Sequence, residues 1–423
     1  GKVYWTQSDK THPAGEISLQ SALTNSGSAA VLGTLRAVVF VALIPLSLVF
    51  AVVPLSVSAA ATTGRVAADA TFGQELAQLA AKCDELGLEA QGDISRNWQV
   101  ARDWRRYYLF LPDQPDAIQP AADATQLVKF WHDRFIGIRQ QQAKRLFKLA
   151  QQQAFAGEES SAYRLLHEVL HEDPEHLEAR RVLGYTQGSR GWHRGVARRP
   201  IRRKRRPHPL LGWPSGEYWQ VESDHFAVAT NHSRQEALLV ARYLERLYAA
   251  WQQLFYGYWS VPGRLAERFQ GQDRSLGPER IFAVVLFRDQ EDYVRQLGRV
   301  EPQIAISVGY YAQDHKTAFF FAGDDSIRTS WVHESTHQFF QESGVVAPRV
   351  GEQNNFWIVE GVAVYMESYA DRQRYVTVGG VDADRLQFAR FRGLSEGYYV
   401  PFADLVTYGR LQMQKDPDIR KLY

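Results

Sequence analysis

Between His333 and Glu367 the chain prescribes two helices and how they must face each other. His333-Glu334-Ser335-Thr336-His337 is an H-E-x-x-H run. Residues four apart on a helix share a face, so both imidazoles converge on one point. Glu334 lies beside them, within reach of a water held there. Ile327, Ser330, His333, His337 and Phe340 form one stripe; Asp325 or Ser326 can cap the helix and Gly344 can end it. A second helical pattern, FWIVEGVAVYMES over 356–368, places Glu360 23 residues beyond His337. Three protein ligands plus a water is the set of a catalytic zinc site, not a structural one. Gly361 and Ala363 are small enough to let the second helix approach the first closely. Glu367, two turns beyond Glu360, can accept the outer N–H of a ligand histidine; the plainer reading is an ordinary helix carboxylate. Trp357, Val359 and Val364 read as core.

A second match, His167-Glu168-Val169-Leu170-His171, competes for the same reading. Chance supplies about 0.02 such runs in a chain of this composition, so neither is trivial. Context separates them. Asp173-Pro174 ends the first helix directly, and no helix with a well-placed carboxylate comes after it. That run reads as structural, with two exposed histidines on a helical surface.

One cysteine, Cys83, in 423 residues excludes a disulfide framework and any Cys-based metal site. The net charge of +2 hides an asymmetry: residues 194–206 (RGVARRPIRRKRR) hold eight basic residues and no acidic one, leaving −6 for the rest. This stretch reads as a solvated linker or loop, or as a contact for an anionic surface; nucleic acid is the weaker candidate. No charge occurs between Arg36 and Arg65, and 37–50 is almost wholly apolar. With basic residues before it, Pro54 within it and Val57-Ser58-Ala59 after it, the run has the layout of an export signal. An uncleaved membrane anchor is the alternative. Either places the rest of the chain outside the cytoplasm, in the periplasm, the cell envelope or the medium.

The expected organisation is α+β: a leader with a preceding extension over 1–61, a helical region over 62–193, a basic Pro-containing linker over 194–215, and a mixed α/β domain over 216–423. Within the helical region, KLAQQQAFAGEESSAYRLLHEVLHEDPEHLEARRVLGY resembles one tetratricopeptide unit, with Ala154, Ala156, Gly157 and Ala162 where helices would pack closely. Such a unit is a candidate docking surface for a protein partner. In the last region WQVESDHFAVATN alternates like a strand, 235–255 has helical periodicity, IFAVVLF reads as a buried strand, 289–297 as a helix, and ISVGYY and KTAFFFAG as two further strands.

The H-E-x-x-H run followed by W-x-x-E-G-x-A-x-Y-x-E resembles the gluzincin metallopeptidases, a peptidase MA-like group. It is closest to exported bacterial members catalogued as a domain of unknown function. The resemblance covers roughly 218–423, and its hard motifs only 333–337 and 357–367. It implies a mixed sheet with helices, Zn2+ held by His333, His337 and Glu360, Glu334 as general base, Glu367 behind the ligands, and a peptide or protein substrate. It also implies a tyrosine that stabilises the oxyanion: Tyr423 by position, with Tyr398, Tyr399 and Tyr408 as alternatives and a plain packing role as the other reading of Tyr423. By the same likeness the strand 316–322 pairs with an extended substrate, and the chain stops short of the family's last helix. No G-x-M-E-N run is present, so aminopeptidase specificity is not implied. The competing function is an envelope protein that keeps the fold and binds peptide or protein without cutting it.

Overall fold

The computed structural model describes residues 59–111, 118–188, 191–193, 202–203, 205–299, 301, 304–305, 307–323, 327–344, 346, 349–372 and 374–416. The apolar run, most of the basic run, Asp325, Ser326 and Tyr423 lie outside the described residues. Residues from Val57 onward form one compact unit. Among the described residues no helix is long and apolar enough to cross a membrane.

The described chain is α+β. Helices α1 (Ala59–Glu85) and α2 (Glu89–Arg96) precede strand β1 (Arg106–Phe110); α3 (Gln126–Phe155), α4 (Glu159–Glu172) and α5 (Leu177–Leu183) come after it. Thr125 caps α3, its hydroxyl accepting the Val128 N–H at 3.4 Å. Ala154 and Ala162 are fully buried where α3 meets α4. Ala156 and Gly157 instead form the exposed turn, where Gly157 takes a φ of 85° that favours glycine.

The histidines of the first H-E-x-x-H run are not exposed: His167 is 1 % and His171 9 % accessible. The reason is the position of α4 between α3 and β1. His171 stacks on Trp98 at 5.3 Å between ring centroids, and lies 4.5 Å from the Phe110 ring. Burial, aided by the charges of Arg139 and Arg374, pushes its pKa down to about 3, so the ring is neutral. Between these histidines Glu168 accepts from Arg65 at 2.6 and 2.8 Å and from Arg102.

Past the hairpin β2 (Thr186–Gly188) and β3 (Gly191–His193), the chain builds a six-stranded sheet from β4 (Arg202–Arg203), β5 (Trp219–Glu222), β6 (Phe226–Thr230), β7 (Phe282–Phe287), β8 (Tyr310–Ala312) and β9 (Thr317–Phe321). Its order is β4-β5-β6-β7-β9-β8, with β6, β7 and β9 parallel and the rest antiparallel. The single alternating stretch at 219–231 is in fact two strands. The Ser223 N–H donates to the Phe226 carbonyl at 2.8 Å and closes a turn between them. FAVVLF and TAFFF are continuous apolar runs because parallel strands are covered on both faces.

Helices α6 (Arg234–Leu254), α7 (Tyr256–Trp259), α8 (Arg264–Phe269) and α9 (Gln290–Leu297) connect these strands. Ser233 caps α6 and Asp289 caps α9, each accepting an N–H three residues on. The metal-motif helices are α10 (Arg328–Ser343), ended by Gly344, and α11 (Phe356–Met366). Strands β10 (Ala370–Asp371) and β11 (Tyr375–Gly379) and helices α12 (Asp384–Glu396), α13 (Phe402–Leu405) and α14 (Arg410–Lys415) complete the chain. β11 pairs antiparallel with β1, from Arg106 opposite Gly379 to Phe110 opposite Tyr375, so the N-terminal helices and the segment after α11 share a sheet.

The core fixes α10. Phe339 is fully buried against Tyr248, Trp251 and Phe282, with ring centroids 5.0 to 5.7 Å away. Gln338 donates to the Ala283 carbonyl of β7 at 3.1 Å, and the Tyr258 hydroxyl donates to the Phe340 carbonyl at 2.6 Å. Large aromatic burial of this kind is worth about 3–5 kcal/mol per side chain on truncation to alanine. The opposite face of α10 therefore presents His333 and His337 in a fixed orientation.

This topology narrows one expectation. β9 is hydrogen-bonded to β7 along its length and to β8 over Thr317–Phe319. Only the Phe320-Phe321 end of β9 is left uncovered by β8, and the strand at the edge of the sheet beside the motif helix is β8.

Candidate metal centre

α10 and α11 pack so that His333, His337 and Glu360 each turn one donor atom toward a common point, all within 4.8 Å of one another. His333 Nε2 lies 3.2 Å from Glu360 Oε2, and His337 Nε2 lies 3.7 Å from Glu360 Oε1. The imidazoles stand nearly perpendicular, at 80°. Among the described residues this is the one convergent group of three such donors, and the 167–171 run forms none.

The other nitrogen of His333, Nδ1, is 2.7 Å from Glu367 Oε1. Arg385 on α12 donates from Nε to Glu367 Oε2 at 2.5 Å. Glu367 therefore fixes the imidazole so that Nε2 faces Glu360. Glu367→Ala is expected to weaken zinc affinity about 10- to 100-fold, measured by competition with a chelator of known affinity. An affinity within twofold of the parent would make Glu367 an ordinary helix carboxylate.

The charge states are those of a cluster that shares a proton between His333 and its two carboxylates. Burial opposes charge on His333, but the hydrogen bonds of Glu360 and Glu367 prevail and raise its pKa to about 10. It holds a proton at the point where the donors meet, which is where a divalent ion would compete for the same lone pair. Burial pushes His337 down to about 4, leaving a neutral imidazole. Burial would raise Glu360, yet His333 and His337 hold it below the usual carboxylate range. Two histidines and a carboxylate are donor types that a divalent ion such as zinc takes once His333 gives up its proton.

Glu334 stands apart from the ligand set. Its Oε2 accepts the Tyr311 N–H of β8 at 2.9 Å. Burial, with the Glu360 charge beside it, raises its pKa to about 7. Gly309 permits this approach: a Cβ there would lie 3.1 Å from Glu334 Cγ and 3.3 Å from the Phe320 ring.

Other expectations fare differently. Ala363 is buried at the helix contact, but Gly361 is exposed, and a Cβ there would meet only Trp357 at 4.0 Å. Trp357, Val359 and Val364 are half-buried rather than core, because α11 lies at the surface and buries only Phe356, Ala363 and Met366. Tyr399 is 75 % exposed, and Tyr408 gives its carbonyl to the Phe356 N–H.

Two residues carry no motif signal and emerge only from the fold. Arg385 is one. The other is Arg410: the Asn355 and Phe356 N–H groups donate to the Val406 and Tyr408 carbonyls, and the Arg410 N–H to the Gly351 carbonyl. This ties the start of α14 to the start of α11. The Arg410 charge reaches Glu334, His337 and Glu360, lowering the pKa of each. Comparison with protein-family models, curated proteins and solved structures finds no match to this chain.

Proposed function

We propose that the protein is an exported zinc-dependent peptidase of gluzincin type, hydrolysing peptide bonds. The observation that carries this reading is the convergence of His333, His337 and Glu360 beside a buried Glu334 whose carboxylate accepts the Tyr311 N–H. His333, His337 and Glu360 would hold the ion; zinc at such a site supplies Lewis acidity, acidifying a water and polarising a carbonyl.

The chain's own residues supply the rest. Glu334, held by the Tyr311 N–H, takes the proton of the attacking water and passes it to the leaving amine. Glu367 and Arg385 keep the His333 ring in place. The positive charge of Arg410, or the hydroxyl of Tyr423, stabilises the developing oxyanion. An extended peptide lies along the sheet edge at β8, past Tyr311, whose N–H is held by Glu334. Export rests on the apolar leader, and the helical region is the docking surface for a protein partner. The test is hydrolysis of a peptide library by the zinc-loaded chain, with chelator-treated protein as control. Zinc retention without cleavage would replace this reading by a peptide-binding one.

A further inference from the structure

The N-terminal helices and β1 enclose a cavity of about 390 Å³, and none of the residues lining it belongs to the metal centre. Four arginines line it, Arg65, Arg102, Arg106 and Arg164, against two carboxylates, Asp103 and Glu168. The carboxylates are already engaged. Glu168 accepts from Arg65 and Arg102, and Asp103 from Arg105. Arg106 turns away to Asp382 at 2.6 Å.

Arg164 is different. Its guanidinium donates to the Ser161 hydroxyl at 3.1 Å and the Gln253 carbonyl at 3.4 Å, and it lies 5.7 Å from the Tyr107 ring centre. Among the described residues no carboxylate pairs with it, and burial lowers its pKa against only the Tyr107 hydroxyl. A guanidinium has five N–H donors, so most of its capacity is unspent. Gln153, 8 % accessible, also lines the cavity. A half-buried guanidinium with unspent donors and no carboxylate partner, at the wall of an open cavity, is a place for an anion. The aromatic rings of Tyr107, Tyr108 and Trp104 supply an apolar wall.

We propose that this cavity is a binding site for a small organic oxyanion, a carboxylate or phosphate that Arg164 grips, carrying a planar group against the tyrosines. The site is independent of the metal centre, and the proposal does not rest on peptidase activity.

The experiment is isothermal titration calorimetry of the full chain with two probes. Hippurate has a carboxylate, an adjacent amide N–H and a ring; inorganic phosphate has the oxyanion alone. Saturable binding of hippurate at one per chain is expected, weakened at least tenfold in Arg164→Gln, with phosphate binding more weakly and competing. Phosphate binding tighter than hippurate, also lost in Arg164→Gln, would retain the oxyanion site and make inorganic phosphate its ligand. Circular dichroism checks that the variant is folded. Tyr107→Leu, which leaves the guanidinium in place, is a second variant: it should weaken hippurate and spare phosphate. Absence of saturable binding of both probes, or hippurate binding unchanged within twofold in Arg164→Gln and Tyr107→Leu alike, would overturn the proposal.

Discussion

Glu334→Gln is expected to abolish peptide hydrolysis while leaving zinc content unchanged. The glutamine keeps the size of the side chain and can still accept the Tyr311 N–H, so the contact with β8 that holds Glu334 at 2.9 Å survives. What it loses is the ability to take a proton. General base catalysis is worth about 10²- to 10⁴-fold, and a neutral amide cannot replace it. Zinc should stay, because the donors that converge are His333, His337 and Glu360. The check is turnover of the peptide library together with metal analysis of the same sample. Undiminished turnover would remove Glu334 from its assigned role.

The second large effect concerns stability. Glu168→Gln is expected to destabilise the fold by about 1.5–3 kcal/mol, because the Arg65 and Arg102 guanidiniums, 20 % and 38 % accessible, lose their charged partner. Burial alone would raise the Glu168 pKa, but Arg65 and Arg102 overcome it and hold the group at about 2. A depressed carboxylate stabilises the fold above its unfolded pKa, and that stability is lost as pH falls through about 2. His171, pushed down to about 3, acts in the same direction, since the unfolded chain takes the proton first. Glu172, raised to about 7 by burial, opposes them only between its unfolded pKa and neutrality. Urea unfolding at pH 7 and along a series down to about pH 3 checks this. The variant should unfold at lower urea at pH 7 and lose the steep acid dependence that Glu168 confers. Equal midpoints for the two proteins would contradict the assignment.

What the sequence revealed and what it hid have physical reasons. The spacing of His333 and His337 determines a shared face, and the apolar run around Glu360 determines a second helix, so their convergence was legible. The parallel strands announced themselves as unbroken apolar runs. Pairings far apart in sequence did not. Nothing local in RYYLF says that it pairs with β11, some 270 residues on, or that β9 is flanked on both sides. The burial of His167 and His171 has a related cause: α4 is covered by α3 on one side and β1 on another, and only the strand pairing brings β1 there. Arg410 and Arg385 reach the site from helices after the motif, through backbone bonds and a single ion pair that no spacing encodes.

The most direct test of the metal centre is zinc stoichiometry of the purified full chain alongside His333→Ala. The account predicts one zinc per chain, with an absorption-edge spectrum showing nitrogen and oxygen donors and no sulfur, and loss of the metal in a variant that remains folded. A folded parent chain that takes up no zinc, or a His333→Ala variant that holds it as tightly, would contradict it.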